Sequence, residues 1–371
     1  MAPPPASEDA TGMDILIVED SQVVAMLLRA IFSRENGLRV VGHALDGAQA
    51  LEMTHRLRPH IITMDIRMPR MDGLEATRRI MEEVPTPIVV VSASVDDEEL
   101  RITFRAIEAG ALAVIEKPRG IAHPDFETIR GNLVDMVRAM SEVPVVRRSR
   151  RNKPPSPAGL PPSPSPPSPP SPARSRGSLP SIVALGASTG GPQTLQAILE
   201  RLPAHFPIPI LVVQHISPGF VGGMASWLDT LTPLGVSVAA NAEPLQPGRV
   251  YLAPDSVHVR VESNAQGAAV VRLTTGNHPA NPHCPSVGVM LESVADQFGS
   301  RCIAGLLTGM GSDGAAALAR LAACQAATFV QSRDSCVVFG MPGSALELHP
   351  GHLQLAAEDM AAFLLREVNL S

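Results

Sequence analysis

The pattern of apolar and polar positions divides the chain into two stretches of alternating strands and helices. In the first stretch, short apolar runs are separated by longer segments whose apolar residues recur at helical spacing. These runs predict five strands, at Asp14–Val18, Arg39–His43, His60–Met64, Pro87–Val91 and Leu112–Ile115. Five strand–helix units in about 130 residues predict a doubly wound parallel sheet.

From Ser181 onward the same alternation returns. Strands are predicted at Ile182–Leu185, Ile208–Val213, Val236–Ala239, Arg249–Ala253, Cys302–Leu307 and Thr328–Val330. Helices are predicted at Thr189–Leu202, Gly219–Leu231, Ser286–Phe298, Asp313–Cys324 and Glu358–Val368. Two further apolar runs, Val257–Val261 and Ala268–Leu273, flank turn residues and predict a β-hairpin inserted into a second α/β domain with a mostly parallel sheet.

Composition places a linker between the two stretches. Residues 143–180 contain repeated Pro and Ser, and their charged residues from Arg147 to Arg176 are all basic. Such a segment cannot form a core, and we expect an extended polyproline-II spacer; a basic patch that docks on an acidic partner is the alternative. The predicted division is a disordered tail at 1–12, domains at 13–142 and 181–371, and the linker between them.

Overall composition narrows the classes of function. Aromatic residues make up 3% of the 371 residues and the net charge is −6, which argues against a nucleic-acid partner. No apolar run is long enough to cross a bilayer, and the first residues do not resemble a signal peptide. The four cysteines lack metal-binding spacing, so we expect reduced thiols in a cytoplasmic protein without membrane insertion.

Polar residues follow the ends of the strands predicted in the first domain. They are Glu19, Asp20, Asp65, Ser92 and Lys117. Because the carboxyl ends of parallel strands meet at one edge of a sheet, three carboxylates converge there, and a hard cation such as Mg²⁺ suits them. A lysine and a hydroxyl beside them would complement a phosphoryl group on Asp65. Alternatively, each of these carboxylates, considered alone, could be a solvent-exposed loop residue without a ligand.

These residues lie in motifs that resemble a response-regulator receiver domain, which has a flavodoxin-like fold. The motifs are ILIVEDS at 15–21, MDIRMPRMDG at 64–73, VSA at 91–93 and EKP at 116–118. The resemblance implies that Asp65 accepts a phosphoryl group from a histidine kinase. It implies that Glu19, Asp20, Asp65 and the Arg67 carbonyl hold Mg²⁺, and that Ser92 and Lys117 contact the phosphoryl group. Val114 stands where many receivers carry an aromatic switch residue.

The second domain opens on the sequence SIVALGASTGGP at 181–192. Its pattern predicts a buried strand, a tight glycine turn and a helix that begins near Pro192. Ser188 would then lie at a helix N-terminus, where oriented N–H groups favour negative charge. Gly186 to Gly190 fit the G-x-S-x-G pattern of a nucleophile elbow. This stretch alone supports two functions of the turn equally, a nucleophilic serine and a phosphate-binding loop.

Two further strand ends complete a possible catalytic group. His215 follows the second strand of this domain, and Asp313 follows a later one. Ser188 would attack, His215 would accept its proton, and Asp313 would orient the imidazole. Asp313 could instead cap the helix that follows it. The turn around Met310 could present N–H donors to an oxyanion. The chain order Ser, His, Asp differs from that of ordinary α/β-hydrolases.

The second domain resembles the chemotaxis protein-glutamate methylesterases. The resemblance rests on GASTGGP at 186–192, VQH at 213–215, YLAPD at 251–255 with His258, PSV at 285–287, LTGMGSDG at 307–314 and VFGMP at 338–342. It implies a Rossmann-like fold with a β-hairpin insertion. It also implies that Ser188, His215 and Asp313 are catalytic, that the Met310 N–H joins an oxyanion hole, and that Thr189 lies beside the nucleophile. Gly288 replaces an Asp that is frequent in the family.

The resemblance implies a phosphorylation-regulated hydrolase that removes methyl esters from glutamates of chemotaxis receptors and also deamidates receptor glutamines. It implies Mg²⁺ in the receiver and no cofactor for the esterase. It further implies that the unphosphorylated receiver covers the esterase site. The alternative is a receiver joined to a catalytically idle binding domain. A DNA-binding output domain would require a basic helix-turn-helix, which the sequence does not show.

Overall fold

The structure is a computed structural model that describes residues 12–33, 37–93, 97–118, 120–145, 179–266, 268–276 and 283–370. The predicted tail at 1–12 and the predicted linker at 143–180 therefore lie almost entirely outside the described residues. Within the described ranges, two separate parallel sheets form, one on each side of the linker.

The first sheet contains five parallel strands in the order β2-β1-β3-β4-β5. The strands are β1 (Met13–Val18), β2 (Leu38–Ala44), β3 (Ile61–Met64), β4 (Ile88–Ser92) and β5 (Ala113–Glu116). The helices are α1 (Gln22–Ile31), α2 (Gly47–Leu57), α3 (Gly73–Glu83), α4 (Asp97–Ala109) and α5 (Phe126–Ser141). All five predicted strands are present, and the predicted doubly wound fold is confirmed.

The second sheet contains seven parallel strands in the order β14-β13-β12-β6-β7-β9-β8. They are β6 (Ile182–Ala187), β7 (Ile210–Gln214), β8 (Gly235–Val238), β9 (Arg249–Leu252), β12 (Cys302–Leu306), β13 (Ala327–Gln331) and β14 (Leu353–Leu355). The helices are α6 (Gly191–Leu199), α7 (Val221–Leu231), α8 (Val287–Phe298), α9 (Ala315–Ala323), α10 (Met341–Leu348) and α11 (Ala357–Glu367). The α/β character predicted from the alternation is confirmed.

The predicted hairpin is a sheet of its own. Strand β10 (His258–Ser263) pairs antiparallel with β11 (Ala269–Thr274), and β10 packs on α8 rather than joining the seven-stranded sheet. The side-chain hydroxyl of Ser293 on α8 accepts a hydrogen bond from the backbone N–H of Val261, at 3.0 Å. The hairpin therefore covers α8.

Strand β14 and helix α10 were not among the sequence predictions. Strand β14 is only three residues long and exposes Leu353, so its sequence has no buried apolar run. It forms because Phe329, Val330 and Gln331 of β13 offer an open parallel edge. Helix α10 begins at Met341 with Pro342 in its first turn, which is a favourable position for proline. Neither element carries a strong local signal.

Burial on both faces explains the continuous apolar runs of the central strands. Every residue of β6, β7 and β12 is buried, because helices cover the parallel sheet on both sides. At about 25 cal/mol per Å² of apolar area removed from water, the burial of such strands contributes favourably to folding. Their carboxyl ends are thereby held at fixed positions.

The two domains contact each other through α4 and α7. Phe104 on α4 stacks on Trp227 on α7 with ring centroids 5.5 Å apart, and both side chains are buried. Such an aromatic pair contributes about 0.5–1.5 kcal/mol beyond its buried area. The Trp227 indole N–H donates to Glu108, and the Gln193 amide donates to the carbonyls of Ala111 and Leu112 at 2.9 and 3.1 Å. This contact surface is called the domain interface below.

No helix in the described parts of the chain is long and apolar enough to span a bilayer.

Candidate active site and phosphoacceptor site

Ser188 lies just beyond β6, at the carboxyl edge of the larger sheet. Its backbone N–H donates to the Thr308 carbonyl at 3.0 Å, which ties the turn after β6 to the turn after β12. Gly190 has φ of 80° and caps α6, a conformation that a glycine adopts without strain. The predicted sequence of strand, glycine turn and helix is confirmed, and Ser188 stands at the helix N-terminus.

Gln214 fixes the spacing between the turns after β6 and β7. Its side-chain amide donates to the Ser188 carbonyl at 2.7 Å and to the His215 carbonyl at 2.8 Å. Gln214 is buried, and the His215 N–H in turn donates to the Ala187 carbonyl at 2.9 Å. Sequence reasoning placed Gln214 beside the site without giving it a role. Its amide bridges two strand ends that are neighbours only in the folded sheet.

His215 and Asp313 are brought together across the sheet edge. The distance between His215 Nε2 and Asp313 Oδ2 is 2.9 Å, and the Asp313 side chain is almost entirely buried. An ionised carboxylate accepts hydrogen bonds only, so His215 Nε2 carries the proton and Nδ1 keeps a lone pair in the neutral ring. The remote carboxylate therefore selects the tautomer of the imidazole.

Asp313 also receives three hydrogen bonds from the N-terminal turn of α8. The backbone N–H groups of Val287 and Gly288 donate to it at 2.8 and 2.9 Å, and the Ser286 hydroxyl donates at 3.1 Å. These donors and the positive end of the helix favour the charged carboxylate. The alternative that Asp313 caps the helix following it is wrong, because Gly314 occupies the N-cap of α9.

The turn containing Met310 lies against Ser188. Gly309 allows this approach, because a Cβ atom at that position would lie 2.6 Å from Ser188 Cβ and 2.7 Å from Met341 Sδ. Met310 and Thr189, the two residues predicted beside an oxyanion, both line the cavity that contains Ser188. The Thr308 hydroxyl donates to the Thr189 carbonyl at 2.9 Å and holds the two turns together.

We expect the substitution Gly309→Ala to reduce hydrolytic activity by about a hundredfold or more. The added methyl group must displace either Ser188 or Met341, and a misplacement of about 1 Å at a reacting group can cost 10²-fold in rate. Gly131→Ala in α5 is the control, because its Cβ would enter open space. Initial rates and melting temperatures of both variants would be compared. Unchanged activity in Gly309→Ala would contradict this account of the turn.

Two other residues near the site were missed by sequence reasoning. His283 stacks on His215 with ring centroids 4.5 Å apart, and partial desolvation together with the neighbouring His215 lowers the pKa of His283. Asp255 accepts a hydrogen bond from the Gly219 N–H at 2.7 Å, which restrains the loop after His215. Burial raises the pKa of Asp255. The motif at 251–255 was the only sequence signal for Asp255.

Ser188, Thr189, His215, Met310 and His283 line one cavity of about 920 Å³. The opposite wall comes from the first domain, from residues of β5 and α5. Val114, the residue at the usual aromatic switch position, belongs to that wall. The cavity therefore lies between the two domains, and the catalytic candidates face the first domain across it.

The first domain gathers its predicted acidic residues at the edge of its own sheet. Carboxylate oxygens of Glu19, Asp20 and Asp65 lie within 4.8 Å of one another. Glu19 and Asp65 are buried, whereas Asp20 is exposed. Burial raises the pKa of Asp65, and burial followed by the nearby Asp65 charge raises the pKa of Glu19. Such a cluster favours a cation.

Lys117 supplies one positive charge to this cluster. Its ammonium lies 2.8 Å from Asp65 Oδ2 and 3.0 Å from Glu19 Oε2. Burial alone would lower the pKa of Lys117, but the Asp65 and Glu19 carboxylates outweigh it and raise the pKa. One ammonium cannot neutralise three carboxylates, and oxygen donors of this kind fit Mg²⁺.

Ser92 and Arg67, the other predicted members of the phosphoacceptor site, occupy different environments. Ser92 ends β4, is fully buried, and its hydroxyl lies 3.3 Å from the Thr103 hydroxyl. Arg67 lies two residues after Asp65 with an exposed side chain. Its predicted contribution is the backbone carbonyl.

Comparison with known proteins agrees with this arrangement. Residues 183–364 match the CheB methylesterase family, and residues 15–123 match the response regulator receiver domain family. Protein-glutamate methylesterase/protein-glutamine glutaminase 4 of Myxococcus xanthus is 48% identical over 351 residues, which cover 94% of this chain and 95% of the relative. Protein-glutamate methylesterase/protein-glutamine glutaminase 1 of Syntrophus aciditrophicus is 45% identical and covers 95% and 97%.

The chain belongs to the CheB methylesterase family. The family expectation from the motifs is therefore confirmed, as is the combination of a receiver domain with a methylesterase domain. The crystal structure of the Thermotoga maritima CheB methylesterase catalytic domain is 35% identical and covers 50% of this chain and 98% of its own, with a TM-score of 0.49. The second domain is thus the methylesterase domain, and the first domain is the receiver domain.

Proposed function

We propose that this protein hydrolyses glutamate methyl esters on methyl-accepting chemotaxis receptors and releases methanol. Family membership supports this proposal, because both relatives described above carry the name protein-glutamate methylesterase/protein-glutamine glutaminase. The observation that carries it is the 2.9 Å contact between His215 Nε2 and Asp313 Oδ2, at the sheet edge where Ser188 lies. Receptor glutamines would be deamidated by the same site.

The proposed reaction is an acyl transfer through Ser188. The Ser188 hydroxyl attacks the ester carbonyl carbon while its proton moves to His215 Nδ1, the nitrogen that does not face Asp313. Asp313 stabilises the imidazolium that forms. The Met310 N–H, with Thr189 beside the nucleophile, would stabilise the oxyanion of the tetrahedral intermediate.

The intermediate collapses with loss of methanol, which takes the proton from His215. Water then attacks the acyl-enzyme with His215 again as the base, and the products are a glutamate carboxylate and free Ser188. An amide substrate follows the same steps and releases ammonia in place of methanol. The esterase steps use side chains and backbone groups of this chain.

Methanol release from methylated receptor membranes tests the function directly. We expect release by the wild-type chain and none above background without it. Absence of methanol together with retained binding to the receptor would favour the alternative of a receiver joined to an idle binding domain.

The receiver domain would control this activity by phosphorylation of Asp65. Glu19, Asp20, Asp65 and the Arg67 carbonyl would hold Mg²⁺, which supplies charge neutralisation for phosphoryl transfer from a histidine kinase. Lys117, which already contacts Asp65, and the Ser92 hydroxyl would contact the phosphoryl group. The acidic cluster and the Lys117 contact support this assignment.

The domain interface would inhibit the esterase in the unphosphorylated chain. Residues of β5 and α5 face Ser188 and His215 across the cavity, so a receptor helix would have to displace the receiver to reach the serine. Phosphorylation of Asp65 would activate the enzyme if it favours separated domains over docked ones. The predicted linker at 143–180 would keep both domains on one chain.

A pair of neighbouring glycines tests this inhibition. A Cβ atom on Gly223 of α7 would lie 2.4 Å from Leu100 Cβ of α4, whereas a Cβ atom on Gly222 would meet open space. We expect Gly223→Ala to force the domains apart and to raise the activity of the unphosphorylated chain at least about fivefold, which corresponds to a coupling of about 1 kcal/mol. Gly222→Ala is the matched control on the same helix.

The measurement is the initial rate of methanol release with and without a small phosphodonor. Gly223→Ala should also narrow the gap between the two conditions, because less inhibition remains to be relieved. Equal unphosphorylated rates for Gly223→Ala and Gly222→Ala would refute inhibition through this interface.

A further inference from the structure

His258 lies behind the proposed catalytic group and has no role in the mechanism above. It is the first residue of β10, and it is 4% exposed. Its Nδ1 accepts a hydrogen bond from the Ser286 backbone N–H at 3.2 Å, and its Nε2 lies 3.0 Å from the Gly276 carbonyl oxygen. Both ring nitrogens are therefore paired with backbone groups.

These two partners fix the protonation of the His258 ring. A backbone N–H always donates, so Nδ1 must present a lone pair to Ser286. A carbonyl oxygen always accepts, so Nε2 must carry the hydrogen that points to Gly276. His258 is therefore held as one neutral tautomer. Another side chain can keep the hydrogen bond from the Ser286 N–H only if it places an acceptor atom at the Nδ1 position.

Ser286 connects this histidine to Asp313. Its backbone N–H contacts His258, and its hydroxyl donates to Asp313 Oδ1 and accepts from the Val289 N–H at 3.2 Å. The next two residues, Val287 and Gly288, donate their N–H groups to the same carboxylate. Three of the four hydrogen bonds to Asp313 described above thus come from the turn that His258 holds.

We propose that His258 is a positioning residue for the acyl transfer. By accepting the Ser286 N–H, it fixes where α8 begins and thereby the orientation of Asp313 and of the His215 ring. This inference rests on the proposed function. It also gives the β10–β11 hairpin a role, because the hairpin places His258 against the start of α8.

The competing explanation is that His258 only fills space. Two amide substitutions distinguish this explanation from a positioning role. The asparagine oxygen in His258→Asn can take the place of Nδ1 and accept the Ser286 N–H. The glutamine amide in His258→Gln can take the place of Nε2 and donate to Gly276, but it offers nothing at the Nδ1 position. Both variants remove the ring, and asparagine is the smaller side chain, so a space-filling role predicts a loss in His258→Asn that equals or exceeds the loss in His258→Gln.

Steady-state methanol release by the full chain, with a phosphodonor present, would be measured for both variants. We expect His258→Gln to lower kcat by about ten- to a hundredfold with little change in KM, because the chemistry and not receptor binding is disturbed. His258→Asn should retain kcat within a few-fold of the wild-type value. Melting temperatures of both variants would identify any general loss of folding.

A second measurement does not require turnover. The hydrogen bond to Asp313 shields the proton on His215 Nε2 from solvent. The exchange of this proton with water can be followed by NMR in a protein labelled with isotopes at histidine. We expect slow exchange in the wild type and in His258→Asn, and faster exchange in His258→Gln.

A kcat and an exchange rate in His258→Asn that are disturbed as much as, or more than, those in His258→Gln would overturn the assignment of His258. If the wild-type chain releases no methanol, the proposed function fails, yet the exchange comparison still decides whether His258 positions Asp313. The two failures are therefore distinguishable.

Discussion

Replacing Ser188 with alanine is expected to reduce methanol release from methylated receptors by at least about 10³-fold. The substitution removes the proposed nucleophile, and what remains is the binding and oxyanion stabilisation supplied by the rest of the site. The fold should be unaffected, because Ser188 is held through its backbone N–H and carbonyl, which alanine retains. Initial rates and melting temperatures of wild type and variant would be compared.

Ser217→Ala is the matched control for this experiment. Ser217 lines the same cavity but lies on the loop after His215, outside the proposed catalytic group. Its activity should remain within a few-fold of wild type. Substantial hydrolysis by a correctly folded Ser188→Ala variant would exclude the covalent mechanism.

The same mechanism predicts how the other two members combine with Ser188. His215→Ala and Asp313→Ala should each cause severe losses, and a double variant with Ser188→Ala should be no worse than Ser188→Ala alone. The reason is that the imidazole and the carboxylate act only through the serine hydroxyl. Additive losses would indicate that His215 or Asp313 acts independently of Ser188.

The substitution Asp65→Asn is expected to abolish Mg²⁺-dependent phosphorylation of the chain by a small phosphodonor. An amide cannot form the acyl phosphate, and it removes one of the three carboxylates that lie within 4.8 Å of one another. The esterase activity of this variant should therefore stay at the unphosphorylated level when the phosphodonor is added. Incorporated label and methanol release would be measured on the same samples.

Asp72→Asn provides the matched acid-to-amide control. Asp72 caps α3, where its side chain accepts the Glu75 N–H at 2.8 Å, and asparagine caps helices equally well. This control should be labelled at the wild-type level and be activated normally. Unchanged labelling of Asp65→Asn would show that another residue is the acceptor.

Much of the architecture follows from the sequence, because both domains are built from buried parallel strands. A strand such as β6 is covered on both faces, so its sequence is a continuous apolar run that stands out from amphipathic helices. The carboxyl ends of such strands share one edge, which makes Ser188, His215 and Asp65 identifiable from their places after apolar runs. Strand β14 escaped prediction because the edge of β13, and not its own side chains, determines it.

Only the tertiary structure decided how the candidate site is supported. Sequence position suggested that Asp313 could cap the helix that follows it, but the carboxylate instead binds the start of α8, about 25 residues earlier in the chain. Gln214, Ser286 and His258 lie in the quoted motifs, but their sequence positions indicated no role, because each acts on groups that only folding brings near. Strand order and helix packing determine which groups these side chains contact. The periodicity of apolar residues carries no information about the distances between a side chain and such partners.

The sequence by itself therefore determined the family and the two α/β domains, and it supplied the candidates for the reacting residues. The tertiary structure decided the orientation of each candidate side chain and the groups that lie opposite it. The physical reason is the range of the forces involved: burial of a strand depends on its own side chains, whereas a hydrogen bond such as that between Ser286 and His258 requires two distant backbone segments to meet within 3.2 Å. The contact between α4 and α7, and the position of β5 and α5 opposite Ser188, depend in the same way on surfaces that only the folded chain presents.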